Sequence, residues 1–438
     1  MNNYQTRFVT PEVAAQAIKS GDWVDYGFGA GFPELMDKAL AKRKGEVKDV
    51  KIRGGLVIRP RIEVVECDPE QESFHYYSWH IGDYERKLQS RGLVSFMPVA
   101  LRLMPELYRS HIRVDVACVP VSKPDKDGYC SLGISNYTWR VIFENAKTVI
   151  FEINEHYPTL FGVDGSNRVH LSEADYVVEG EHEPLPTRSY KEASEVDKKI
   201  AELVVAEIPD GAVLSLGVGG VPFTVASMIA NSDLKDLGCH TGTISDAFLT
   251  LYKAGKLTNA RKEFDTGRST WNLAMGSNEL YDWLRENPDL FHPGDLDYVH
   301  DPARIGTMKN VISINGGVQL DLMGQENAES AGTRQLSGIG GQMDFLEGAF
   351  RSKGGKGFIC INSSRVTKDG ERKSNILPFI PGGATVSAPR TMIQYVATEY
   401  GVAKLSGLSL RERAEAMIAI AHPDFREELS RYAAENFR

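Results

Sequence analysis

Residues 208–219 read Ile-Pro-Asp-Gly-Ala-Val-Leu-Ser-Leu-Gly-Val-Gly, and residues 18–29 read Ile-Lys-Ser-Gly-Asp-Trp-Val-Asp-Tyr-Gly-Phe-Gly. The glycines of the two stretches match at a constant offset, and each stretch is followed by a proline that begins a helical pattern. Such a stretch predicts a helix end, a turn, a short buried strand, a glycine loop and a second helix. Because this order occurs twice, we predict two similar open α/β domains with parallel sheets.

The chain is long enough for two domains. Its 438 residues exceed what one hydrophobic core usually holds, and the polar stretch 179–190 contains prolines, as a linker does. We therefore place an N-terminal domain at 1–185 and a C-terminal domain at 186–438, with an active cleft between them that is built mainly from the second. Further strands are predicted at 114–120, 148–153, 311–314 and 358–361, and helices at 197–208, 279–286 and 411–421.

The composition argues against several classes of protein. The formal net charge of -9 is spread along the chain without a Lys/Arg-rich run, so nucleic acid is not expected as a partner. No apolar run approaches the roughly 20 residues that span a bilayer, and 1–7 lacks the apolar core of a signal peptide. We therefore expect a cytoplasmic protein with no membrane association. The cysteines lack a Cys-x-x-Cys spacing, so neither a disulfide framework nor a structural zinc site is expected.

Two glycine-rich segments of the C-terminal half have the character of anion-binding loops. Gly217-Val-Gly-Gly-Val-Pro222 follows a predicted strand and begins a helix, and Ser337-Gly-Ile-Gly-Gly341 forms a second cluster. Both leave backbone amides uncovered by side chains, which suits a developing oxyanion. Either loop alone is compatible with a structural turn, because neither carries the dinucleotide fingerprint or the lysine of a P-loop. Together they indicate a converging oxyanion site.

Segments along nearly the whole chain carry a family resemblance. They are Val121-Ser-Lys-Pro-Asp-Lys-Asp-Gly-Tyr-Cys-Ser-Leu-Gly133, Leu216-Gly-Val-Gly-Gly-Val-Pro222, Val318-Gln-Leu-Asp-Leu-Met-Gly-Gln325, Ala328-Glu-Ser-Ala-Gly332, Ser337-Gly-Ile-Gly-Gly-Gln-Met-Asp-Phe345, Tyr395-Val-Ala-Thr-Glu-Tyr-Gly401 and Ala419-Ile-Ala-His-Pro-Asp-Phe-Arg426. They resemble the family I coenzyme A transferases, in the acetyl-CoA hydrolase/transferase branch that includes butyryl-CoA:acetate and 4-hydroxybutyrate CoA-transferases.

The resemblance implies a covalent mechanism. A glutamate carboxylate attacks an acyl-CoA thioester, forms an acyl-glutamyl anhydride and then a glutamyl-CoA thioester, and a second carboxylic acid collects the CoA. By the same resemblance the Val218 amide lines an oxyanion hole. Residues expected against the CoA or acyl group are Gly217, Gly219, Gly220, Gly338, Gly340 and Gly341.

The resemblance also implies what the protein binds. A short-chain acyl-CoA and a small carboxylate, such as butyrate and acetate, are the expected substrates. No metal and no cofactor beyond CoA itself is expected, and the chain is expected to form a homodimer or a larger homo-oligomer.

The position of the family nucleophile holds Gly242, in Gly238-Cys-His-Thr-Gly-Thr243, where relatives read Gly-x-His-Ser/Thr-Glu-Met. Glycine cannot form an anhydride, so the usual route through this residue is blocked. A carboxylate stands instead at Glu326, where relatives have valine after Gly-Gln. We hypothesise that Glu326 replaces the nucleophile or directs a water, and the alternatives are a solvated loop glutamate or a substrate contact.

Other candidates have a structural explanation that we prefer. His240 is expected to be a hydrogen-bonded structural histidine, and Cys239 a buried thiol. Glu329 and Glu399 are expected to organise backbone and neighbouring loops. The aromatic segment Tyr76-Tyr-Ser-Trp-His80 either lines an acyl pocket or packs in the core.

Three functions follow from these observations. The leading one is CoA transfer between a short-chain acyl-CoA and a carboxylic acid. A hydrolase, in which a cavity left at Gly242 admits water, and a non-catalytic acyl-CoA binding protein are the alternatives.

Overall fold

The first copy of the repeat folds as predicted. A computed structural model of the chain describes residues 8–163, 165–188 and 192–437. In it the helix Pro11–Ala15 leads to the strand Trp23–Phe28 and then to the helix Glu34–Ala41. Between the first helix and the strand lies Gly21, whose φ of 81° is a left-handed conformation that glycine adopts without strain.

The second copy has the same order of elements. The helix Glu195–Val205 leads through Gly211 to the strand Val213–Leu216, and the helix Gly220–Ala230 follows. Gly211 has a φ of 72°, in the same left-handed region as its counterpart Gly21. The internal duplication read from the sequence is therefore present in the structure.

The chain forms two compact units. The first comprises the described residues up to Arg188 together with Ser269–Val299, and the second comprises the remaining described residues. The predicted division at 185/186 thus differs from these units, because 269–299 folds with the first unit. The reason is visible in its contacts: Leu273 packs in the core of the first unit, and Ala274 N–H donates to Ile134 O over 2.8 Å.

The first unit is built on a parallel sheet of eight strands. In spatial order they are Phe8–Val9, Tyr176–Glu179, Thr148–Ile153, Val116–Val121, Trp23–Phe28, Val50–Gly55, Phe74–Ser78 and Ser95–Phe96. Two short antiparallel strands, Tyr129–Ser131 and Arg168–His170, pair with each other, and Ser269–Ala274 pairs in parallel with Phe291–Pro293. Its helices are Pro11–Ala15, Glu34–Ala41, Glu63–Glu66, Asp83–Gln89, Met104–Ser110, Trp139–Asn145, Asn278–Glu286 and Leu296–Val299, with 3-10 turns at Leu101–Leu103, Leu171–Glu173 and Pro288–Leu290.

The second unit is built on a sheet that is parallel except at its last strand. In spatial order its strands are Gly238–Ile244, Val213–Leu216, Val311–Gly316, Lys356–Cys360, Tyr395–Thr398 and the antiparallel Gly401–Lys404. Short strands pair outside this sheet: Gln319–Asp321 with Glu326–Asn327 and Ile376–Leu377, Ser330–Ala331 with Arg334–Gln335, and Ser364–Val366 with Arg372–Ser374. Its helices are Glu195–Val205, Gly220–Ala230, Asp246–Lys253, Pro302–Ile305, Gln342–Arg351, Leu410–Ala419 and Pro423–Asn436.

Buried apolar side chains explain why these strands form the centre of each unit. Thr148–Ile153 and Val311–Gly316 are buried along most of their length, as strands covered on both faces are. The predicted fold class, two α/β domains with parallel sheets, is confirmed.

Some predictions from the sequence concern residues that the structure does not describe. The segment 1–7 and the end of the predicted linker, Ser189 and Tyr190, lie outside the described residues. Among the residues that are described, no helix has the length and apolar character needed to cross a membrane.

Candidate functional site

The candidate site lies at one edge of the sheet in the second unit. The strand Val213–Leu216 pairs in parallel with Gly238–Ile244 on one side and with Val311–Gly316 on the other. The chain therefore leaves the central strand in one direction and later returns on its other side. Loops at the carboxyl ends of strands at such a reversal are where open α/β sheets bind ligands.

The first glycine loop follows this central strand. Gly217 N–H donates to Ile314 O over 2.9 Å, which fixes the loop against the neighbouring strand. Gly219 has extended backbone and precedes the helix Gly220–Ala230. Within the described chain, no backbone oxygen accepts from Val218 N–H. The loop is partly exposed, so this amide is available to an anion.

Gly242 lies near the end of the adjacent strand, and an imidazole fills the space beside it. A Cβ added to Gly242 would lie 3.0 Å from both Cε1 and Nε2 of His300, and 3.5 Å from the Phe345 ring. A side chain at 242 would therefore lie against the His300 imidazole. His300 itself is 1 % exposed.

The same imidazole contacts the second glycine loop. A Cβ on Gly341 would come within 2.6 Å of His300 Nδ1. His300 Nδ1 also lies 3.0 Å from an Asp344 carboxylate oxygen, and the Phe345 ring packs edge-on against the imidazole. One histidine thus joins Gly242 to the loop that precedes the helix Gln342–Arg351.

Glu326 is buried at the carboxyl end of the neighbouring strand. Its side chain is 0 % exposed, so the prediction of a solvated loop glutamate is wrong. Gln342 Nε2 donates to both carboxylate oxygens over 2.7 Å, and a Cβ on Gly317 would lie 2.8 Å from Oε1. The backbone holds this position as well, because Glu326 N–H donates to Ala388 O.

The environment of Glu326 raises the pKa of its carboxyl group. Burial raises the pKa of this carboxyl to about 8, and the nearby Glu329 carboxylate adds to the rise. The Gln342 hydrogen bonds act in the opposite direction because they favour the charged form. A buried carboxyl with a strongly shifted pKa at a ligand-binding edge is a candidate for chemistry.

The glycines of the second loop take the conformations that a close turn requires. Gly338 is buried, Gly340 has a φ of 59°, and Gly341 directly precedes the helix Gln342–Arg351. Glu329 holds the start of this loop, because its backbone oxygen accepts from Leu336 N–H over 2.6 Å. The structure therefore brings Gly341, Gly242 and Glu326 into one cluster through His300 and Gln342.

The contacts of His240, Cys239 and Glu399 are those of residues with a structural role. His240 is buried between the rings of Phe264 and Phe345, and the Cys239 side chain is buried. Glu399 accepts from both the backbone N–H and the hydroxyl of Ser363, which is the loop-organising role predicted for it.

The aromatic segment of the first unit packs in its core. Tyr76 is buried and donates its hydroxyl to Glu85, while Trp79 belongs to a hydrophobic cluster. The packing interpretation of this segment is therefore the one that its contacts support.

Two members of the cluster, His300 and Gln342, were not identified from the sequence. His300 stands alone in Tyr-Val-His-Asp-Pro, and a single histidine gives no signal of a partner 44 residues away in the chain. Gln342 lies inside the second glycine segment, so its position was visible, but its contact with Glu326 depends on how the chain folds. The spacing from the glycines was the only available hint.

These features define a class of protein. Two α/β units with parallel sheets, two glycine loops and a buried carboxyl at the carboxyl edge are suited to acyl transfer at a thioester. Comparisons with known proteins agree. The sequence pattern of the acetyl-CoA hydrolase/transferase N-terminal domain matches residues 1–187, and that of the C-terminal domain matches residues 276–433.

Relatives support the same assignment. The chain is 44% identical over 428 residues to a butyryl-CoA:acetate CoA-transferase of Anaerostipes caccae, covering 97% of this chain and 95% of that one. It is 38% identical to a 4-hydroxybutyrate coenzyme A transferase of Clostridium kluyveri, covering 97% of each. The crystal structure of RipA from Yersinia pestis superposes with a TM-score of 0.89 at 34% identity, covering 98% and 97% of the two chains. The chain belongs to the acetyl-CoA hydrolase/transferase family.

The packing of His300 against Gly242 predicts the effect of adding one methyl group. We expect Gly242→Ala to lower the free energy of unfolding by about 1–3 kcal/mol, because the Cβ meets a ring that Asp344 and Gly341 hold in place. Urea unfolding of the full chain measures this. The control is Gly382→Ala, since a Cβ on Gly382 meets nothing within 4 Å. In Gly242→Ala/His300→Ala the penalty of the first change should shrink, and equal effects at 242 and 382 would contradict the packing.

The pKa of Glu326 predicts how its loss changes stability with pH. Between about pH 5 and pH 8 the folded chain keeps a proton on Glu326 that the unfolded chain has released, so this group lowers the free energy of unfolding as pH rises. Glu326→Gln removes this slope. The stability of the variant relative to the parent should therefore rise by on the order of 3 kcal/mol from pH 5 to pH 9.

Urea unfolding at several pH values measures that difference, and the comparison cancels the other buried carboxyl groups. Glu428→Gln, which removes an exposed carboxylate of the last helix, is the control. A parent and a variant whose stabilities run parallel across this pH range would show that Glu326 has an ordinary pKa.

Proposed function

We propose that this chain transfers CoA between a short-chain acyl-CoA and a small carboxylic acid such as acetate, with the Glu326 carboxylate as nucleophile. The observation that carries the proposal is a carboxyl buried at the carboxyl edge of the sheet and held by Gln342, in the same cluster as Gly242. Family members are expected to have their glutamate nucleophile at position 242, where this chain has glycine, and Glu326 offers the same functional group in the cluster that contains Gly242.

The proposed reaction proceeds through two covalent forms of Glu326. Its carboxylate attacks the thioester carbonyl, the C–S bond breaks, and an acyl-glutamyl anhydride and a CoA thiolate are formed. The thiolate then attacks the glutamyl carbonyl, which releases the first acid and leaves a glutamyl-CoA thioester. A second carboxylate reverses these steps and leaves with the CoA.

Burial supports this role in two ways. It raises the basicity of the carboxylate, and therefore its strength as a nucleophile once it is ionised. It also keeps water away from an anhydride that water would destroy. Gln342 covers the carboxylate and is itself partly exposed, so we propose that its side chain moves aside when the thioester binds.

The glycine loops are proposed to bind the rest of the reacting group. The Val218 amide stabilises the oxyanion of the tetrahedral intermediate, and Gly217, Gly219 and Gly220 allow close approach of the substrate. Gly338, Gly340 and Gly341 are proposed to contact the acyl or thioester group. The cytoplasmic location, the homo-oligomer and the lack of any cofactor other than CoA stay predictions.

The pH dependence of kcat/KM tests the ionisation of the proposed nucleophile. Attack requires the ionised carboxylate, so kcat/KM for butyryl-CoA with acetate should rise about tenfold per pH unit up to about pH 8 and then level off. A profile that is flat from pH 6 to pH 9 would mean that the attacking group ionises well below this range.

Removal of the Glu326 carboxylate tests whether this group is the nucleophile. Incubation of the chain with butyryl-CoA and acetate, with detection of acetyl-CoA by mass spectrometry, should show transfer that falls at least a thousandfold in Glu326→Gln. Glu326→Asp, which keeps a shorter carboxylate, should retain more activity than the glutamine variant. Glu428→Gln is the control for the removal of a charge. Full transfer by Glu326→Gln would refute the assignment.

The same assay separates the alternatives. Free thiol released in the absence of acetate indicates a hydrolase. Thermal stabilisation by butyryl-CoA without turnover indicates a binding protein.

A further inference from the structure

Residues 180–188 form a connector that leads in sequence from the first unit towards the second. They form neither a helix nor a strand, so their position depends on side-chain contacts. Arg59 Nη1 donates to the Pro184 carbonyl oxygen over 3.3 Å, and the Tyr281 hydroxyl donates to the Pro186 carbonyl oxygen over 2.9 Å. The connector is therefore bound to the surface of the first unit at several points.

His182 makes the most buried of these contacts. Its side chain is 0 % exposed, and each ring nitrogen faces a carboxylate. Nδ1 lies 2.7 Å from Glu155 Oε2, and Nε2 lies 3.0 Å from Glu152 Oε1. An ionised carboxylate only accepts hydrogen bonds, and a neutral imidazole has one N–H group. With both carboxylates ionised, the two hydrogen bonds exist together only when the imidazole is protonated on both nitrogens.

Glu152 links this contact to the helix that follows the first glycine segment. Its buried carboxylate accepts from the N–H groups of Leu35 and Met36, over 3.1 Å and 2.8 Å, in the first turn of Glu34–Ala41. Backbone N–H groups at a helix N-terminus interact favourably with a negative charge. Glu152 is therefore suited to be the anionic partner of an imidazolium ion, and His182 touches a carboxylate that also holds this helix.

The two carboxylates favour the protonated form of His182. Burial of the ring lowers the pKa of the imidazole, but the hydrogen bonds and charges of Glu152 and Glu155 outweigh burial and raise the pKa above its usual value of 6.5. A proton that the folded chain binds more tightly stabilises the fold at low pH and is lost as pH rises through the raised pKa. The contact is therefore complete below about pH 6.5 and weakens above it.

Other ionisable groups lie on the elements packed around this contact. On the connector itself, Glu181 and Glu183 are exposed. The groups near His182 and Glu152 on the surrounding strands, helix and loops are His156, Glu34, Asp37, Arg59, Tyr26 and Tyr157. Burial raises the pKa of Asp37 to about 8, so this carboxyl also loses a proton in the neutral range. Its effect has to be separated from that of His182.

We propose that His182 is a pH-dependent switch, which holds the connector on the first unit while its imidazole bridges Glu152 and Glu155 and releases the connector when the imidazole loses a proton. After that loss, a ring nitrogen with a lone pair faces a carboxylate, and the two repel each other. The buried imidazole then leaves its place between the carboxylates. This switch is independent of the chemistry at Glu326, because all of its groups belong to the first unit.

Hydrogen–deuterium exchange of the full chain, read by mass spectrometry on peptides that cover 180–188, tests the switch. The quantity compared is the protection factor, which is the intrinsic exchange rate at each pH divided by the observed rate. In the parent it should fall by about threefold or more from pH 6 to pH 9. In His182→Gln, which cannot bind a proton, it should be lower than in the parent at pH 6 and constant over this range.

Glu155→Gln tests the electrostatic part of the contact. The amide still offers an oxygen to the imidazole, but it lacks the negative charge that favours the imidazolium form. The fall in protection should therefore occur at a lower pH than in the parent. A role in packing alone does not produce this shift.

Two controls separate His182 from other titrating groups. Asp37→Asn removes the neighbouring carboxyl that titrates in the same range, and His111→Gln removes an exposed histidine of the first unit. Both variants should keep the pH dependence of the parent. Thermal unfolding of each variant reports any general loss of folded protein.

Several outcomes overturn the proposal. A protection factor that is constant with pH in the parent overturns it, and so does a pH dependence that persists in His182→Gln. A pH dependence that disappears in Asp37→Asn assigns the response to that carboxyl instead. If His182→Gln does not fold, an unshifted transition in Glu155→Gln is sufficient to overturn the proposal.

Discussion

The imidazole of His300 lies against two glycines, and this contact limits which side chains fit at either position. Gly242 and Gly341 belong to different segments, yet a Cβ on either would lie within 3.0 Å of the same ring. Asp344 and Phe345 keep that ring from moving away. A side chain at 242 would therefore need the His300 ring to shift slightly.

A carboxylate for CoA transfer must then come from another position. Glu326 is buried beside the carboxyl end of Val311–Gly316, and Gln342 reaches it from the residue that follows Gly341. Burial of a carboxyl is costly unless it is neutralised or well bonded, so a chain that retains one there gives up some stability. Such a cost is usual at functional sites, where ionisation is adjusted to a reaction.

Much of the fold could be predicted from the sequence because it depends on local patterns. The glycines of each repeat mark turns that need positive φ, and runs such as Thr148–Ile153 are apolar enough to identify buried strands. The assignment of 269–299 could not be predicted, because it follows from contacts such as Ala274 with Ile134, which are distant in the chain.

The site also combines features that could be predicted from the sequence with features that could not. The glycine loops and Glu326 could be found, since they lie in segments with a recognisable pattern. Their surroundings could not: the burial of Glu326 depends on a hairpin with Gln319–Asp321, and His300 meets Asp344 only after a strand and a helix have packed. Tertiary contacts thus account for the burial of Glu326 and for the imidazole that lies beside Gly242.

Glu326 is proposed to carry the CoA during transfer. Incubation with butyryl-CoA, reduction with borohydride and peptide mapping by mass spectrometry test it most directly, because an enzyme-bound glutamyl-CoA thioester is reduced to an alcohol at the residue that held it. We expect this alcohol at position 326, and none at that position in Glu326→Gln. Reduction at another carboxylate, or transfer without any reducible thioester, would contradict it.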